Sequence, residues 1–189
     1  MLGYPAVADL GECVVSEQVY DPNRRQRYEF RRDGENLVVE IRVAPGGDVP
    51  THFHPAQEER WTVREGRVRF KIDGRKVVPE PGVELVVAPR VKHSFKNVGD
   101  GEAHIHVEVR PAGELQAFLE DAARLSRAGV YTRRGVVKTP RGALRMAEFV
   151  DRYRETTVVS MPPPALQRLL FTPLLRLARR PRAGTASRA

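Results

Sequence analysis

The 189-residue sequence predicts a mainly β protein, a jelly-roll barrel followed by a C-terminal α-helical extension. Two observations carry that expectation. Short segments of alternating polarity, separated by Gly, Pro or Asp turn signals every 8 to 12 residues, run to about residue 110, the pattern of a sandwich or barrel. After Pro111 the apolar period changes from two to 3.6 residues. The expected divisions are an N-terminal arm over 1–24, a barrel over 25–112, a helical extension over 113–181 and a disordered tail over 182–189.

In the arm, Gly3, Pro5, Gly11 and Pro22 leave room for one short strand near Glu12 to Glu17. The barrel opens with the mixed segment QRYEFRR. NLVVEIRVAP then puts Leu37, Val39, Ile41 and Val43 on one face, with Glu40 and Arg42 on the other. EERWTVREG and VRFKIDG read as a hairpin turning at Glu65-Gly66. Asp73-Gly74 and Pro81-Gly82 are further turns. VELVVAP, KHSFKNV and EAHIHVEVR complete the series. In the extension, Leu115, Phe118, Leu119, Ala122 and Leu125 form the apolar stripe of a first helix that stops at Gly129. ALRMAEFVDRYRE is expected as a second helix, and ALQRLLFTPLLRLARR as a third, kinked at Pro173.

Charge is divided in the same way as the elements. Residues 1–110 hold 17 Lys/Arg against 18 Asp/Glu, and residues 111–189 hold 15 against 6, so the +8 net charge belongs to the C-terminal part. A balanced body does not suit a nucleic-acid-binding domain. The leucine stripe and arginines of the third helix are expected to pack on the barrel or across a dimer, in preference to a peripheral membrane surface. The single Cys13 has no partner for an internal disulfide, and no basic-then-apolar leader opens the sequence, so a cytoplasmic location is expected.

The chemistry lies in GGDVPTHFHPAQEERWTVREG. His52 and His54 are two apart, so on a strand they share a face and can reach one ion. A carboxylate follows at Glu58 or Glu59. Burying Glu58 would also bury Arg60 and Arg64, whereas burying Glu59 takes Trp61 and Val63 inward, so Glu59 is the better ligand. His93 is the fourth candidate, sharing a face with Phe95 and Asn97 while Lys92 and Lys96 stay outside. Imidazole and carboxylate together suit a borderline divalent metal. His104 and His106 form a second same-face pair, but Ile105, Val107 and Val109 make the better core face. The histidine pair is therefore expected on a solvated face, with His106 a spare candidate for substrate contact.

The spacing Gly46-x5-His52-x-His54-x4-Glu59-x6-Gly66 resembles the first motif of the cupin superfamily. Gly82-x5-Ala88-x-Arg90-x2-His93-x3-Asn97 resembles the second, with Ala88 and Arg90 where the family has proline and glycine. The resemblance covers about residues 36–110. It implies a small jelly-roll barrel, a homodimer, and one divalent metal (Fe, Mn, Ni, Cu or Zn) on His52, His54, Glu59 and His93. Arg90 cannot adopt a left-handed backbone as cheaply as glycine. Phe53, Trp61, Phe70 and Phe95, with Asn97 and His106, are the candidate substrate pocket, and their apolar character favours an aromatic or apolar organic substrate. A metal-dependent oxidoreductase of dioxygenase type is the expected function. A non-catalytic binding or sensor protein and an isomerase are the alternatives, because one fold serves many chemistries.

Overall fold

The computed structural model describes residues 18–160 and Thr172. The expected strand near Glu12 to Glu17, Cys13, the third helix and the tail lie outside the described residues.

Two antiparallel sheets form the barrel, one ordered β1-β2-β3-β10-β5-β8 and the other β11-β4-β9-β6-β7. The first contains β1 (Val19–Asp21), β2 (Gln26–Asp33), β3 (Asn36–Val43), β5 (Glu58–Glu65), β8 (Glu84–Val87) and β10 (Ala103–Arg110). The second contains β4 (Asp48–Phe53), β6 (Val68–Ile72), β7 (Arg75–Val77), β9 (His93–Asn97) and β11 (Val158–Val159). Thus the first sheet begins inside the expected arm, and the second takes a strand from the expected helical extension.

Alternation dictates the core. β3 and β10 pair with Ile41 opposite Ile105 and Val39 opposite Val107. All four are buried, with Val43, Val63, Val68 and Val109 beside them. Each such side chain contributes about 1.5–3 kcal/mol on leaving water. Trp61, Phe70 and Phe95 form an aromatic triangle with centroids 5.4 to 5.9 Å apart.

The turn chemistry is as the sequence implies at two places. Asp73 and Gly74, both at positive φ, join β6 to β7 with Ile72 opposite Arg75. Val83 N–H donates to Glu80 O across Pro81-Gly82, with Gly82 at φ +87°.

The expected hairpin of β5 with β6 does not form. β5 pairs with β10 and β8, while β6 pairs with β9 and β7. Gly66, at φ +84°, carries the chain from one sheet to the other, and a Cβ there would lie 2.8 Å from Ala103. Period two fixes which face of a strand is buried, not which strand lies beside it.

Two helices follow the barrel. α1 is Leu115–Arg127, with Gly129 at φ +64° just past its end. α2 is Pro140–Arg152, beginning three residues before the expected start. Thr139 caps it through Gly142 N–H, and Pro140 stands at its first turn, a signal the apolar period alone overlooks. The helices meet through Phe118, Phe149 and Tyr153, whose centroids are 5.1 to 5.6 Å apart, and Tyr153 Oη donates to Asp121 Oδ2 at 2.7 Å. No helix among the described residues is long and apolar enough to cross a membrane.

Candidate metal centre

β4, β5 and β9 bring the expected ligands together. His52 stands opposite His93 across the β4–β9 pair, and His54 follows at the end of β4. The three imidazoles are buried and offer nitrogens within 4.8 Å of one another. Glu59, 3% exposed, enters from the facing sheet, with Oε1 3.2 Å from His54 Nε2 and Oε2 2.9 Å from His93 Nε2. Glu58 is half-exposed on the other face and pairs with Arg60 at 3.0 Å.

Hydrogen bonds fix which nitrogen of each ring faces inward. The Nδ1 atoms of His52, His54 and His93 lie 2.9, 2.8 and 3.0 Å from the carbonyls of Pro50, Thr156 and Val91. A carbonyl only accepts, so each Nδ1 carries the proton and each Nε2 keeps its lone pair. His54 Nε2 and His93 Nε2 are buried with no hydrogen-bond partner, although Glu59 is close to both. That arrangement fits a metal. Ligand bonds of about 2.0–2.2 Å from one centre place neighbouring donor atoms about 3 Å apart. Outer carbonyls that fix ring orientation are the usual support of such ligands. Trp61 Nε1 adds a bond to Glu59 Oε2 at 3.2 Å.

The charges of these four groups are mutually dependent. Burial pushes Glu59 up, but the His54 and His93 imidazoles hold its carboxyl well below the usual carboxylate range. Burial and the neighbouring His93 and His54 push His52 well below its ordinary value. His54 feels burial too, yet the adjacent Glu59 carboxylate leaves it above its ordinary value.

A cavity of about 280 Å³ opens against this cluster. His52, His54 and Glu59 form part of its wall, while His93 does not. Of the expected pocket residues, Trp61 and Phe95 line it and the other four do not. Phe53 alternates with His52 and His54 and falls on the opposite face of the chain. Phe70 is core behind Trp61. Asn97 is structural, donating to Val43 O and Gly101 O at 2.8 Å and accepting from Gly99 N–H at 2.9 Å. His106 is on the outer face of the sheet, where it and His104 both lie 2.7 Å from Glu40.

Arg90 sits at φ +67°, so the left-handed turn is kept with arginine in the family glycine's place. Its N–H donates to His54 O at 2.7 Å, tying the turn to a ligand-bearing segment.

The largest surprise is the extension. α1 contributes Leu115, Phe118 and Leu119 to the cavity wall, and α2 contributes Met146, Phe149 and Val150. β11 pairs with β4 so that Val159 is opposite His52, and Thr156 holds His54. Apolar period finds the helices, but nothing local marks Thr156 and Val159 as neighbours of residues more than a hundred positions earlier.

A double-sheet barrel with three histidines and a glutamate converging at its inner wall defines a cupin-type candidate metal centre. Residues 39–109 match the cupin-domain family model, so that part of the chain is a cupin domain. It is 28% identical over 110 residues to "Polyketide synthase CurC" of Streptomyces cyaneus, covering 52% of this chain and 69% of that protein. It is 35% identical over 72 residues to "Protein SchB" of Streptomyces halstedii, covering 36% of this chain and half of that protein. Among solved structures, a recombinant oxalate oxidase in complex with glycolate is 27% identical, with a TM-score of 0.39 over 41% of this chain and 42% of that one.

Proposed function

We propose that the protein is a metal-dependent oxidoreductase of dioxygenase type, acting on a small apolar or aromatic molecule that carries a chelating pair of oxygens. The observation that carries this reading is the position of the centre, with His52, His54 and Glu59 set in the wall of a cavity otherwise lined mainly by apolar side chains. A divalent ion on these donors would supply a Lewis acid and, if redox-active, a site for dioxygen chemistry.

The protein's own residues do the remaining work. Three carbonyls lock the imidazoles with Nε2 inward, and the Trp61 indole restrains Glu59. Trp61, Phe95, Phe118 and Phe149 offer the substrate a dry wall that strengthens polar contacts within it. The name of the first relative favours a second reading on the same centre, enolisation or ring closure of a polyketide-like chain without oxygen consumption.

Elemental analysis and oxygen uptake separate the two. The purified protein is expected to hold a divalent ion and to consume oxygen with a catechol or a 1,3-diketone. His52→Ala is expected to lose the ion and keep its melting transition. A zinc protein that turns over a poly-β-ketone without oxygen uptake would favour the second reading. A wild-type protein that takes up none of iron, manganese, nickel, copper or zinc would sink both.

A further inference from the structure

The two sheets divide the charge of the barrel unequally. On the outer face of the first, Glu40, Glu58, Glu84 and Glu108 each lie beside an arginine or a histidine. The strands of the second carry Arg69, Lys71, Arg75, Lys76 and Lys96 against one acid, Asp48. Alternation puts Arg69, Lys71, Lys76 and Lys96 outside, because Phe70 and Phe95 point into the core. All four are exposed, and none of their side chains takes part in an ion pair or hydrogen bond among the described residues. Asp48, although opposite Lys96, is drawn to Arg24 and Arg133, at 3.6 and 3.8 Å.

Register sharpens the imbalance. Lys96 stands opposite Arg69, and Lys71 stands opposite Lys76. Like charges directly opposite one another weaken a sheet, so the fold gains nothing from this arrangement, and an anion from outside the chain offsets it. With Thr51 and Ser94 the four cations line a depression of about 230 Å³. A strand spacing of about 4.8 Å and a rise of about 3.3 Å per residue set them in a block about 7 Å by 10 Å.

The form of the face selects among anionic partners. A flat bilayer surface does not enter a depression. A sheet that binds single-stranded nucleic acid displays aromatic rings for base stacking, and here Phe70 and Phe95 are buried. A second copy brings first-sheet carboxylates that already have partners. An α-helix with carboxylates at i, i+4 and i+7 presents them about 6 and 10.5 Å apart along a ridge, close to both dimensions of the block.

We propose that this face docks an acidic α-helix of a partner protein, whose carboxylates pair with Arg69, Lys71, Lys76 and Lys96 on the back of the strands that carry His52 and His93. The assignment is independent of the metal reading.

The probe is a fluorescein-labelled helical peptide with glutamates at i, i+4 and i+7 among alanine and glutamine, titrated with the full-length protein by anisotropy at low salt. A face variant combines Arg69→Gln, Lys71→Gln, Lys76→Gln and Lys96→Gln. A control variant removes the same charge through Arg31→Gln, Arg64→Gln, Arg134→Gln and Arg145→Gln, at four exposed arginines without ion pairs among the described residues. Each exposed ion pair is worth a factor of about two to five, so the face variant is expected to bind about thirtyfold more weakly than wild type. The control variant, which changes only the general field, is expected to stay within about threefold. The face variant is expected to melt no lower than wild type, because two like-charge pairs are gone. If it does melt lower, the double variant Lys71→Gln with Lys96→Gln carries the comparison, with a loss of about fivefold. Absence of binding to wild type, or equal loss in the face and control variants, overturns the proposal. So does equal binding of a proline-interrupted version of the peptide, which keeps the charges and lacks the helix. Tighter binding of a single-stranded oligonucleotide or of phosphatidylserine vesicles, lost in the face variant, overturns it in favour of nucleic acid or membrane. Self-association of wild type that the face variant lacks overturns it in favour of a second copy.

Discussion

Arg90 is the residue at which local preference and global need conflict most openly. A left-handed backbone costs a non-glycine residue about 1–2 kcal/mol, and Arg90 adopts it at φ +67° while its N–H holds His54 O. Glycine would relieve that cost but lose more entropy on folding, by about 0.5–1 kcal/mol. Arg90→Gly is therefore expected to stabilise the protein by about 0.5 kcal/mol, read as a higher denaturant midpoint with an unchanged slope. A lower midpoint would mean that the arginine side chain contributes contacts that outweigh its backbone. Glu40 offers a test of a different kind. Burial pushes its carboxyl up, but hydrogen bonds with His106 and His104 bring it below its ordinary value. A depressed carboxylate stabilises the fold above its unfolded value of about 4.3 and loses that contribution as pH falls through the lower folded value. Glu40→Gln should therefore narrow its stability gap to wild type on going from pH 6 to about pH 3, measured by thermal melts. A gap independent of pH would show that the histidine pair does not depend on the charge. At this scale the sequence was readable wherever parity decides burial. Glu59 could be preferred to Glu58 because of Arg60 and Arg64, whereas Phe53 could not be excluded from the pocket by its aromatic character.

Among the described elements β11 is the smallest, and the segment that leads into it holds one ligand of the centre. It adds two residues to the edge of β4, and Ser160 N–H continues the pairing by donating to Thr51 O at 2.9 Å. The same segment presents Thr156 O to His54 Nδ1 at 2.8 Å, with the Thr157 hydroxyl 3.3 Å from that nitrogen. Ser160→Pro removes the N–H and is expected to loosen this clamp. Loss of an outer partner of a ligating histidine typically costs 10–100-fold in metal affinity, and a fall of about tenfold is expected here, measured by competition with a chromogenic chelator. Unchanged affinity would show that Pro50 and Val91, which hold the other two rings, suffice. The contrast with β5 and β6 explains what sequence could and could not reveal. Their alternation identifies two real strands and their buried faces. Partner choice depends on where Gly66 directs the chain and on which edges remain open, information that a period of two does not contain.

Over the whole molecule, the barrel and the helices share one cavity, so the extension is the outer wall of the candidate site. Burial, and the bond to Asp121, push the Tyr153 hydroxyl up to about 12, so it stays a donor and keeps α2 against α1 at neutral pH. The apolar stripe of α1 was legible because its period is local; its role as a wall was not, because that depends on a barrel mouth assembled from distant strands. Hydrogen exchange can show how independent this wall is. The β3–β10 pair is the middle of a six-stranded sheet and is expected to open only with global unfolding. α2 rests on the Phe118–Phe149–Tyr153 contacts and the Asp121 bond. Phe149 is only half-buried, so Phe149→Ala is expected to cost about 2 kcal/mol, less than the about 3–5 kcal/mol of a fully buried phenylalanine. If the wall opens by itself, amides over Pro140–Arg152 should exchange about thirtyfold faster in the variant while those of β3 and β10 keep their wild-type protection. Equal acceleration in both would show that wall and barrel unfold as one unit, and ligand entry would then require something other than movement of α2.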